Sequence, residues 1–177
     1  ADLAEDLAGG LEIIEQRAEA LGRFTQAYAQ IARLPPPAPT RWPVDAWVRR
    51  SASLVSADAV VVEDGPAVDV LADQVQCEQA FINLLRNAVE AVEGRAGAVR
   101  VRWHVEGNGV SILVEDEGPG VAPTANLFVP FFTTKPGGTG IGLVLSRQIA
   151  EQNHGQLRLT NRPDARGARA ALWLPRG

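Results

Sequence analysis

The chain has 177 residues, 46% of them hydrophobic and 21% charged, which is enough for one packed domain and an appendage. Its net charge of −4 and pI near 5.2 exclude a general basic field for nucleic acid. No apolar run approaches the ~20 residues of a membrane span, no signal peptide opens the chain, and the single cysteine, Cys77, excludes an internal disulfide.

Residues 1–34 are rich in Ala, Leu, Glu and Arg and contain no proline. Leu7, Leu11, Ile14, Ala18, Leu21, Thr25 and Tyr28 alternate at spacings of four and three, which predicts one long helix with a single apolar seam. Gly9 and Gly10 weaken its first turns by about 1 kcal/mol each relative to alanine. Such a seam packs either on its own domain or on a partner helix. The break at Pro35, Pro36, Pro37 and Pro39 favours the second arrangement, a helical bundle. Residues 35–40 then form a linker and 41–177 a separate domain.

Within that domain, Ala46–Val55, Val60–Glu63 and Val68–Leu71 read as short strands. Val75–Val92 has helical periodicity through Ala80, Leu84, Ala88 and Ala91. Ala98–Val105 and Val110–Glu115 alternate as a hairpin around Glu106-Gly107-Asn108-Gly109. A stretch of Gly, Pro and Phe fills 116–139, Gly142–Asn153 reads as a helix, and Gln156–Thr160 and Ala168–Leu174 as closing strands. Together these predict an α+β fold, a two-layer α/β sandwich preceded by one long helix.

Three stretches carry chemistry. In QAFINLLRNAVEAV (79–92), Asn83 and Asn87 are four apart and project from one helix face. Asparagine is a poor helix former, and its side-chain carbonyl is a hard oxygen suited to Mg²⁺; a solvated polar stripe is the plainer alternative. In VEDEGPGV (114–121), Asp116 follows an apolar strand and as an acceptor-only carboxylate suits the amino group of an adenine. Gly118 and Gly120 would let a flat base approach the backbone, although Asp, Gly and Pro also make ordinary turns. In residues 127–155, Phe128, Phe131 and Phe132 suggest a flap with aromatic plugs, and Gly138-Thr139-Gly140-Ile141-Gly142 runs into a helix at Leu143. Unpaired N–H groups at that helix start form an anion site, to which Lys135 and Thr139 add donors. Neither GxxxxGK[ST] nor GxGxxG after a strand is matched, because Leu143 stands where the lysine belongs and the third glycine comes one residue early.

In this order, the asparagine pair, the strand with DxGxG, the Phe-bearing loop and GxGxGL opening a helix resemble the catalytic, ATP-binding domain of bacterial sensor histidine kinases. These belong to the GHKL ATPases and have the Bergerat ATP-binding fold. The resemblance covers about residues 40–176. NLLRNAVEAV and FFTTKPGGTGIGL look most like the kinases related to nitrogen regulation, and residues 1–34 resemble the second helix of a dimerisation and histidine-phosphotransfer hairpin. The resemblance implies ATP and Mg²⁺ as cofactors, with Asn87 on the metal and Asn83 supporting the metal or phosphates. It implies Asp116, Gly118 and Gly120 at the adenine, and Phe128 and Phe132 as anchors of a mobile lid. Gly138, Gly140 and Gly142 would let that lid close on the triphosphate, with Lys135, Thr139 and Leu143 beside it. The implied partners are a response regulator receiver domain and a second copy through helix 1–34. The implied setting is cytoplasmic, in line with the lone cysteine, with anchoring in the inner membrane left to upstream segments.

The sequence departs from its relatives at several points. Asn83 stands where ATP-hydrolysing members place a glutamate base and cannot abstract a proton from water, which fits transfer to a protein histidine better than hydrolysis. Ala168 replaces a frequent threonine, and Ala91 an aromatic beside the adenine, so nucleotide affinity is expected to be modest. Asp73 reads as an N-cap. The two histidines, His104 and His154, both lie outside 1–34 and read as structural. With no methionine either, the sequence reads as a piece of a longer protein that lacks the phosphoacceptor. A nucleotide-sensing module without transfer and an ATPase of the gyrase or mismatch-repair type are the rival readings.

Overall fold

Past the prolines, Thr40–Pro43 forms strand β1 and Val44–Ser53 helix α1, followed by β2 (Val60–Val62) and β3 (Asp69–Ala72). Helix α2 (Gln74–Ala91) leads to the hairpin β4 (Val99–Glu106) and β5 (Gly109–Asp116). A 3-10 turn (Ala125–Phe128), helix α3 (Gly142–Gln152), β6 (Gln156–Asn161) and β7 (Ala168–Pro175) complete the order. The computed structural model describes residues 10, 11, 14, 15, 17, 18, 21, 22, 25, 29, 34–56, 58–122, 125–133 and 138–177, and those between 10 and 29 are helical. Among the described residues no helix is long and apolar enough to cross a membrane.

One sheet has the order β2-β4-β5-β7-β6, parallel at β2–β4 and antiparallel elsewhere; β1 and β3 form a separate antiparallel pair. The period-2 pattern selects the inner face. On β4, Val99, Val101 and Trp103 are buried while Arg100, Arg102 and His104 are exposed. On β7, Ala168, Ala170, Leu172 and Leu174 turn inward. Strand β5 lies between them and is buried along its whole length. Its outward Glu115 is held by Arg102 and Arg169. Glu106 opposite Gly109 leaves the two-residue turn Gly107-Asn108, as the alternation predicts.

Helix α2 lays Cys77, Ala80, Phe81, Leu84, Leu85 and Ala88 on the core, a stripe spaced by three and four. Burial of each large member contributes about 1.5–3 kcal/mol. Asp73 caps the helix as predicted, its Oδ1 accepting from Val75 N at 3.0 Å and Gln76 N at 2.9 Å. Its Oδ2 accepts from Ala38 N at 2.8 Å, so the cap also fixes the linker. Burial pushes the Asp73 carboxyl up, but hydrogen bonds from Ala38, Gln76 and Val75 outweigh it and hold the group below its ordinary value. Asn153, buried after α3, accepts from Asp73 N at 2.6 Å and donates to Gln76 Oε1 at 3.2 Å, and Gln76 donates to Pro35 O at 2.9 Å. Leu34 packs on Ala80, Ile141, Leu145 and Ile149. Residues 34–38 are therefore docked onto the helical layer.

The strand expected over 46–55 is instead α1. Val44, Trp47, Val48, Ser51 and Ala52 are its buried positions, a spacing of three and four rather than two. Aromatic and β-branched residues suggest a strand, but only a helix brings Trp47 between Trp42 and Phe81, with centroids 4.7 and 4.9 Å away. On the N-terminal seam, Leu11, Ile14, Ala18, Leu21 and Thr25 are exposed, so no described residue of the domain covers them. Leu7 and Tyr28 lie outside the described residues.

Candidate functional site

A cleft of about 1250 Å³ opens between α2, the start of α3 and the ends of β5 and β7. Of the residues expected at a site, Asn83, Asn87, Asp116, Gly118, Gly120, Phe132, Gly138, Thr139, Gly140, Gly142 and Leu143 line it. Residues 60 apart in sequence meet here because α2 and α3 lie side by side on the sheet.

At the sheet end, Asp116 is 6% exposed, yet it lines the cleft. Its Oδ1 accepts from Gly118 N at 2.8 Å and Ala168 N at 3.2 Å, which leaves Oδ2 with capacity for a ligand donor. At position 168, then, the backbone N–H works on the carboxylate, since alanine offers no side-chain donor. Gly167 has φ +121°, and a Cβ there would run into the Asp116 carbonyl oxygen, so no other residue fits. Arg162 Nη1 donates to the same carbonyl at 3.3 Å. Asn161 accepts from Val121 N at 2.7 Å and donates to Val121 O at 3.0 Å. Its amide thus imitates a neighbouring strand and ties the loop after Asp116 to the end of β6.

At the helix end, Asn83 and Asn87 face the cleft from α2. Asn83 Nδ2 donates to Ser146 Oγ on α3 at 2.9 Å, and the Asn83 amide occupies the space a Cβ of Gly142 would take. Helix α3 starts after Ile141 with no side-chain cap, and its first residues, Gly142 and Leu143, line the cleft. Phe131 N donates to Gly140 O at 3.1 Å, joining the two sides of the loop. Phe128 packs against the core beneath the Arg147 guanidinium, 5.1 Å from the ring centroid. Phe132 is 37% exposed at the cleft edge, whereas Phe128 is half-buried against the core. Lys135 lies outside the described residues. His104, exposed on β4, and His154, in the left-handed turn after α3 at φ +57°, do not line the cleft.

The two ends offer different chemistry. A buried carboxylate beside glycine backbone suits the amino edge of a purine, while helix N–H groups and amide oxygens suit phosphates and a hard cation. No group of three His, Cys, Asp or Glu side chains that could hold a metal occurs among the described residues. Asn83 and Asn87 line the cleft, and their amide oxygens suit a cation that also takes phosphate oxygens and water. Sequence reasoning missed Ser146 and Asn161, whose partners lie 63 and 40 residues away and leave no local signal.

Residues 72–177 match the family described as Histidine kinase-, DNA gyrase B-, and HSP90-like ATPase. The sensor histidine kinase ZraS of Escherichia coli O157:H7 is 36% identical over 137 residues, covering 72% of this chain and 30% of that protein. The nitrogen regulation protein NtrY of Azorhizobium caulinodans is 30% identical over 166 residues, covering 87% of this chain and 22% of that protein. Full-length ShkA, solved in complex with AMPPNP, superposes with a TM-score of 0.72 at 25% identity, over 94% of this chain and 38% of that one. The chain spans under a third of the length of these two curated relatives. The family match takes in both asparagines, Asp116 and the glycines ahead of α3, in the same two-layer fold, and this chain belongs to the histidine kinase-, DNA gyrase B- and HSP90-like ATPase family.

Proposed function

We propose that the chain is the ATP-binding catalytic portion of a two-component sensor histidine kinase. It would present the ATP γ-phosphate to a histidine on a helix outside this sequence, for relay to a response regulator receiver domain. The observation that carries this reading is a single cleft that joins the buried Asp116 to Asn83, Asn87 and the start of α3. Asp116, with Gly118 and Gly120, would read the adenine. Asn87 would hold Mg²⁺, which supplies charge neutralisation on the phosphates when bound. Asn83 would support the metal or phosphates, and Gly138–Leu143 would surround the triphosphate beneath a lid that includes Lys135. Asn83 in place of a carboxylate favours transfer over hydrolysis. Neither His104 nor His154 lies in residues 1–34, so the chain should not phosphorylate itself.

Residues 1–34 we read as one helix of a dimerisation hairpin, supported by the exposed seam Leu11, Ile14 and Leu21. We read the catalytic portion as cytoplasmic, a reading supported by the lone free thiol Cys77. Calorimetric titration should give Mg²⁺-dependent ATP binding that GTP does not match. A separate hairpin bearing a histidine should take label from γ-labelled ATP only when this chain is present. Binding without transfer would point to a nucleotide-sensing module, and steady hydrolysis without an acceptor to an ATPase of the gyrase type.

A further inference from the structure

Ser146 is 1% exposed and is not a residue to which the nucleotide reading gives a part. Its Oγ lies 2.9 Å from Gly142 O and 3.4 Å from Ala80 O, both carbonyl acceptors. A hydroxyl has one hydrogen, so that hydrogen goes to a carbonyl and a lone pair is left for Asn83, 2.9 Å away. Only the amide nitrogen of Asn83 can meet a lone pair. The hydroxyl therefore decides which way round the amide stands: Nδ2 toward α3 and Oδ1 away from Ser146, against the bare α-carbon of Gly142 at the cleft edge. An amide in water or beside an indifferent neighbour flips between its two orientations, and one of them would show a nitrogen donor where a cation needs oxygen.

We infer that Ser146 is a positioning residue for nucleotide-bound Mg²⁺, acting through Asn83 by fixing its amide so that the carbonyl oxygen faces the cleft. The inference rests on the nucleotide reading above. Its logic is that of the groups behind metal ligands, whose loss commonly weakens metal affinity ~10–100-fold without touching the metal. Gly142 has a second part in the same device. It opens the α3 helix, and its missing side chain is the space in which the Asn83 amide sits.

The test is calorimetry on the whole chain with ATP in Mg²⁺ and ATP in EDTA, for wild type, Ser146→Ala, Asn83→Ala and the double variant. The readout is the factor by which Mg²⁺ tightens ATP. Ser146→Ala should reduce that factor roughly 10-fold, leave affinity in EDTA near wild type, and add nothing once Asn83→Ala is present. Thermal melts identify folded variants, and Ser146→Cys, which fills the site with a poor acceptor, should show the same loss if the alanine protein unfolds. A wild-type Mg²⁺ factor in folded Ser146→Ala or Ser146→Cys overturns the inference, as do additive effects in the double variant. If wild type itself shows no Mg²⁺-dependent ATP binding, the nucleotide reading fails first and takes this inference with it.

Discussion

The two ends of the cleft are built differently. At the sheet end, Asp116 closes β5, Ala168 opens β7 and Gly167 directly precedes it, so their geometry follows from the β5–β7 ladder and the Ala168 N–Asp116 bond. At the helix end, Asn83 and Ser146 reach each other across two helices, and one hydrogen bond sets the orientation. A backbone-built subsite fails together with the fold, whereas a side-chain-built subsite can lose function and leave stability alone. Changes at the sheet end should therefore lower melting temperature and affinity together, and changes at the helix end should alter only the Mg²⁺-linked part.

Gly167→Ala should have the largest effect. The strained φ costs ~1–3 kcal/mol and the collision with the Asp116 carbonyl adds to it, so we expect a melting temperature lower by roughly 5–10 °C by calorimetry. A variant that melts like wild type would break the claim that the sheet end is rigid. Next comes Asp116→Asn, which keeps an oxygen for Gly118 N and Ala168 N but offers ligand a donor in place of Oδ2. Loss of a hydrogen bond to a charged group, ~1.5–3 kcal/mol, predicts ATP binding weaker by ~10–100-fold with the preference over GTP erased. Asn161→Ala removes both bonds to Val121 and should cost about 1–2 kcal/mol, seen as faster amide exchange at Val121.

The smallest effect concerns acid stability. The Asp73 carboxyl titrates below its ordinary value in the folded protein, so its contribution is present above about pH 4 and is lost as pH falls through the lowered value. Asp73→Ala should cost about 1 kcal/mol at pH 7 and flatten the acid side of the stability profile, measured by denaturant melts between pH 2 and 7. Unchanged acid sensitivity would show that the linker's hold on Asp73 contributes nothing.

Much of the sheet was legible because alternation is a local property. The β4–β5 hairpin, β6 and β7 follow from period 2, and α2 from the stripe of Ala80, Leu84, Ala88 and Ala91, of which the first three are buried. The segment 46–55 misled because Trp and Val favour strands in general, while the stacking of Trp47 between Trp42 and Phe81 depends on residues far along the chain. The proline run marked a boundary but gave no sign that Leu34, Pro35 and Ala38 would dock on α2.

By itself, the sequence determined the layer architecture and the chemical vocabulary of the site: the asparagine pair, Asp116 and the glycines before α3. These depend on spacing along one element, which the chain carries openly. Only the tertiary structure decided which atoms of those groups are already engaged. Asp116 Oδ1 is taken by Gly118 and Ala168, and Asn83 Nδ2 by Ser146. Hydrogen bonds between distant elements depend on where helices and strands pack, and that packing is a property of the whole core rather than of any short stretch.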